Sequence, residues 1–79
     1  MITKSQAVDL GLNHIGRRVY SPYYKNKNGT YTDIKINGKC KIWKSKPLEF
    51  RLPIKIGFRD HGYITEDNSH FWFLSVEEI

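Results

Sequence analysis

The run Ile34-Lys-Ile-Asn-Gly-Lys-Cys-Lys-Ile-Trp43, answered a few residues later by Phe50-Arg-Leu-Pro-Ile-Lys-Ile56, decides the fold class. In the first run Ile34, Ile36, Cys40 and Ile42 share one parity, and Lys35, Lys39, Lys41 and Trp43 share the other. In the second, Phe50, Leu52, Ile54 and Ile56 alternate with Arg51, Pro53 and Lys55. A period of two marks a strand with one buried and one wet face. A tight hairpin at Asn37-Gly38 would set Ile36 opposite Lys39 and Ile34 opposite Lys41, mixing the faces. Tyr31–Lys44 is therefore expected as one long strand bent or bulged at Gly38, or as two strands with a longer connection. Pro53 has no N–H to give a ladder, which points to an edge or a bulge.

Outward from these runs the elements are short. Residues 3–10 read as a helix, with Thr3 and Gln6 as a capping box and Gly11 at the C′ position. Ala7, Val8 and Leu10 are its expected buried residues. Arg17–Tyr20 begins an extended segment. Residues 21–30 form a loop that reverses at Asn28-Gly29. Arg59–Gly62 reads as a turn, Tyr63–Thr65 as a short strand, Glu66–Ser69 as a polar turn, and His70–Ser75 as a final strand. In 79 residues this makes one domain, mainly β: a short helix over 3–10 and a small barrel of five to six strands over 15–76. A barrel closes its own edges, which suits a chain too short for two sheets.

Charge is unevenly placed along the chain. The net charge is +5, and ten of the 13 Lys and Arg residues lie between 25 and 59, against only Asp33 and Glu49. The last twenty residues carry Asp60, Glu66, Asp67, Glu77 and Glu78 and no Lys or Arg. Such a layout steers a polyanion toward one face. No apolar run approaches the roughly 18–20 residues of a membrane span, and no signal-peptide pattern opens the chain, so a cytoplasmic protein without membrane contact is expected. A single cysteine excludes an internal disulfide, and no Cys/His spacing suits a metal.

The bent strand pair through Gly38, the aromatic loop and the closing Gly62-Tyr-Ile-Thr65 resemble an SH3-like barrel, in the broad sense that includes KOW-type nucleic-acid-binding modules. The segments Ile36–Lys44, Phe50–Gly57 and Gly62–Thr65 are similar to small uncharacterised proteins of phages and mobile elements. The resemblance implies a binding module. Lys25 and Lys27 stand where peptide-binding SH3 domains carry acidic residues, so it does not imply proline-rich ligands.

Two groups of residues are candidate contact surfaces. Lys35, Lys39, Lys41 and Trp43, with Arg51 and Lys55 on the neighbouring strand, would project from one face. Ammonium and guanidinium groups neutralise phosphates, and an indole stacks on an unpaired base. In the loop, Tyr23, Tyr24, Lys25 and Lys27 form an interface candidate, with one tyrosine expected inward and one outward. Cys40 reads as a core thiol, and His14, His61 and His70 as surface or turn residues. No nucleophile elbow or phosphate-cradling loop is present, so neither catalysis nor a cofactor is expected. The expected ligand is nucleic acid. The alternative is an acidic host protein, bound by an accessory or inhibitory module. The oligomeric state is expected to be a monomer or a weak dimer through an edge strand or the Phe71–Phe73 segment.

Overall fold

In the computed structural model, which describes the backbone of residues 1–79 and all side chains except those of residues 47 and 48, Thr3 starts the first helix. Its hydroxyl accepts from the Gln6 N–H at 3.2 Å, while Gln6 Oε1 accepts from the Thr3 N–H at 2.9 Å. Two of the four orphan donors of the helix end are thereby satisfied. The helix, α1, runs over Lys4–Asn13, three residues beyond the expected end. Gly11 is inside it, and buried. The left-handed glycine that lets the chain leave the helix is Gly16, at φ 93°. Gly11 has a different job: α1 crosses the backbone at Gly38–Cys40 there, too closely for any side chain.

Five antiparallel strands follow: β1 Arg18–Val19, β2 Ile34–Ile36, β3 Lys41–Trp43, β4 Lys46–Ile56 and β5 Arg59–Thr65. β4 is central. Arg51 pairs with both Lys41 and Thr65, and Ile54 with both Ile36 and Gly62. Hence β2 and β3 lie end to end along one edge of β4, and β5 lies along the other. Of the two readings of Tyr31–Lys44, the structure takes the second: two short strands joined by a longer, irregular connection at 37–40.

Pro53 sits opposite that interruption. Its carbonyl accepts from the Asn37 N–H at 2.8 Å, so its own nitrogen points toward the same broken edge. The missing donor falls where the ladder is already open, which is how a proline fits in a central strand.

The inner face carries Val19, Ile34, Ile36, Phe50, Leu52, Ile54 and Ile64, each at most 3% exposed. Ala7 and Leu10 of α1, with Ile2 and Trp72, cover it. Fully burying one such aliphatic side chain contributes about 1.5–3 kcal/mol, so this layer holds the sheet together. Ile42, expected inside by parity, is 41% exposed. It sits on β3, whose far side has no partner strand, next to a shift of register at Trp43.

Two expectations are corrected at the C-terminal end. Arg59–Gly62 is not a turn but the start of β5; the chain reverses at Gly57-Phe58, with Ile56 paired to Arg59. Gly57 takes φ 58° and Phe58 stays at negative φ, the pattern of a type II′ hairpin with glycine first. His70–Ser75 is not a strand either. Ser69–Phe71 is a 3₁₀ turn, Trp72 plugs the core, and only Phe73 meets the sheet edge. Phe73 and Tyr20 exchange two backbone hydrogen bonds of 2.8 Å. The sheet is therefore open. Helix α1 and Trp72 cover the apolar face that barrel closure would otherwise have to bury.

Candidate nucleic-acid interface

The outer face of the sheet has no covering layer among the described residues, and its side chains follow the registers just given. Arg18 pairs with Lys35, and Lys35 with Lys55, so three cations stand directly opposite one another across β1, β2 and β4. Lys41 opposes Arg51 in the same way. Like charges in register on neighbouring strands cost stability. In the first row, Asp33 reaches Arg18 at 3.4 Å and Lys35 at 3.8 Å, and Asp60 stands opposite Lys55. Five cations thus share one face, as Lys35, Lys41, Arg51 and Lys55 were expected to. Lys39 is exposed but lies in the 37–40 connection, outside the ladder.

Arg51 is held in place by aromatics. Its guanidinium lies 4.9 Å from the centre of the Trp43 ring and 5.5 Å from that of Tyr63. Trp43 is half-buried, and the guanidinium occupies its ring, so it positions Arg51. Tyr63, 43% exposed, is the outer-face aromatic open to solvent. A hollow of about 170 Å³ lies beside it, lined by Asn37, Pro53, Ile54, Asp60, Gly62 and Tyr63. In it Asn37 Nδ2 donates to Asp60 Oδ1 at 2.7 Å.

Carboxylates border the face at both ends. At the β3 end, Glu49, Glu66 and Asp67 line a second hollow with Trp43 and Arg51. Glu49 is itself paired with Lys46 at 3.5 Å. At the β4–β5 hairpin end Lys55 is opposed in register by Asp60, whereas Arg59 pairs with Ile56 and so lies on the inner-face side.

The loop candidate is a separate surface. Tyr24 packs inward, stacked on Trp72 at 5.7 Å, and its hydroxyl shares a 2.6 Å hydrogen bond with His61 Nε2. His61 is free to make it because β5 bulges there: Gly62 pairs with Ile54 and Asp60 with Lys55, leaving His61 without a partner on β4. Tyr23 is 70% exposed and meets Phe71 edge-on at 4.8 Å. One tyrosine is in and one is out, as expected. Lys25 lies 5.9 Å from the centre of the Tyr31 ring, and Lys27 is exposed.

Cys40 is half-buried against the core. Burial pushes its thiol above the ordinary value of 9.0, opposed by its backbone hydrogen bond with Arg51 and by the Lys4 charge. The fold prefers the neutral thiol, so this group's contribution to stability is full below pH 9 and is lost as pH rises past it. Iodoacetamide should therefore modify Cys40 more slowly at pH 8 than it modifies a free thiol, with a rate midpoint above pH 9. A midpoint at or below that of glutathione would contradict this placement.

No cluster of three potential metal ligands occurs among the described residues, and no helix among them is long and apolar enough to cross a membrane. No family model, curated protein or solved structure matches the chain. Arg18, Tyr63 and Phe58 belong to or adjoin this face but escape the sequence reading. Tyr63 and Thr65 show the right parity, yet only the register with β4 reveals that Tyr63 stands beside Arg51.

Proposed function

We propose that the uncovered sheet face binds nucleic acid. The observation that carries this reading is the placement of five cations in register on one face, with Arg51 set between Trp43 and Tyr63. Neighbouring strands lie about 4.8 Å apart, so the Arg18–Lys35–Lys55 row spans roughly 10 Å. Phosphates along one strand of a duplex recur every ~3.4 Å of axis, so the row is long enough to meet more than one. Tyr63 offers a ring to an unpaired base beside that row.

Fluorescence anisotropy with labelled single-stranded DNA, duplex DNA and RNA across a salt series tests the reading. Micromolar or tighter binding is expected, strongest for single strands, with log affinity falling linearly against log salt. The slope counts engaged phosphates at about 0.7 each for single strands. Absence of binding at low salt would overturn the reading. A pull-down with nuclease-treated lysate would then decide whether the face docks on an acidic protein instead.

A further inference from the structure

Phe58 is fully exposed, at 105% of a reference residue, at the tip of the β4–β5 hairpin. A ring is not required at the second position of a type II′ turn, where nearly any residue fits. The structure also shows what lies beneath it. The Gly57 N–H donates to the Asp33 carbonyl at 3.3 Å, so the base of the turn is pinned. The Asp33 carboxylate holds Arg18 and Lys35. Lys55 stands two residues before Gly57 on the outer face, and Arg59 follows Phe58 directly. β4 has 11 residues, a rise of roughly 36 Å, in a molecule 43 Å long. The hairpin tip therefore ends the long axis, at the end of the basic face remote from Glu49, Glu66 and Asp67.

We infer that Phe58 is a stacking finger: it inserts against a base of the strand held on the basic face, at the hairpin end of that face. This rests on the nucleic-acid reading and adds its contact at one end. An apolar ring presented on a pinned turn beside phosphate-binding cations suits insertion between bases.

The test uses short single-stranded DNA carrying one 2-aminopurine, moved along the strand from one preparation to the next. With the native protein, the fluorescence should change sharply at one position near an end of the footprint. Phe58→Ala should abolish that change and weaken binding about 5- to 100-fold, with the salt slope and melting temperature unchanged. Phe58→Trp should restore both. Phe58→Leu, which keeps apolar area but has no ring, should behave as the alanine variant. If Phe58→Ala binds like the native chain with its 2-aminopurine signal intact, while Lys35→Glu loses affinity, the finger is wrong and the basic face stands. If the native protein binds no oligonucleotide, both readings fall. If it binds anionic phosphatidylserine vesicles through Phe58 and the oligonucleotide without it, the residue serves a lipid surface and the inference is overturned.

Discussion

Gly11→Ala should lower the melting temperature sharply. In a helix interior the same change ordinarily stabilises, by about 0.8–1.0 kcal/mol. Here a Cβ would lie 2.5 Å from the Cys40 nitrogen and 3.0 Å from both the Gly38 oxygen and the Lys39 carbonyl carbon. All three are backbone atoms, at the point where α1 presses on the β2–β3 connection, so none can swing aside. Overpacking of this kind costs about 1–3 kcal/mol, occasionally more. A core in a chain this short rarely supplies more than about 3–5 kcal/mol. At roughly 4–8 °C per kcal/mol, the melting temperature should fall by about 5–20 °C. Gly16→Ala is the control: a Cβ there meets nothing within 4 Å, but φ is 93°. Its cost comes from the left-handed backbone alone, about 1–2 kcal/mol. A rise in melting temperature for Gly11→Ala would mean that helix and sheet do not touch here.

The second large effect separates binding from stability. Lys35→Glu with Lys41→Glu should cut affinity for single-stranded DNA at least about a hundredfold, taking each charged contact as ~1.5–3 kcal/mol. The salt slope should fall as well, by about 0.7 for each phosphate released. Stability should not fall with it. Glu at 35 faces Arg18 and Lys55, and Glu at 41 faces Arg51, so like-charge pairs become opposite-charge pairs. Such cross-strand pairs contribute roughly 0.2–1 kcal/mol each, against which the variant loses the 3.8 Å contact of Lys35 with Asp33. An unchanged or raised melting temperature with lost binding is the signature of residues kept for a ligand at the expense of the fold. Unchanged affinity would remove this face from consideration. A collapsed melting temperature would mean that the lysines are structural.

Alternation over Ile34–Ile36 and Phe50–Ile56 was enough to assign the inner and outer faces of β2 and β4, and with them Lys35, Arg51 and Lys55. The Thr3–Gln6 capping box was enough to start α1. These are local properties: a strand's period and a helix's first turn involve residues within a few positions of one another. What the sequence could not decide is which segments meet. Gly57 and Gly62 both adopt positive φ, at 58° and 138°, and either suits a turn by composition. The chain turns at Gly57 because Ile54 pairs with Gly62 and Ile56 with Arg59, a register set across the sheet. Gly11 and Gly16 are likewise indistinguishable as letters; one is a close approach and the other a backbone conformation. The Phe71–Leu74 run has the composition of a strand, yet Trp72 becomes a plug because α1 leaves part of the inner face for it to cover. That coverage holds the sheet open and leaves the cation-bearing face bare. The apolar pattern alone therefore determined a mainly β chain with one buried face. Tertiary structure decided the open sheet, the end-to-end β2 and β3, and the row of opposed cations, because each depends on contacts between residues far apart in the chain.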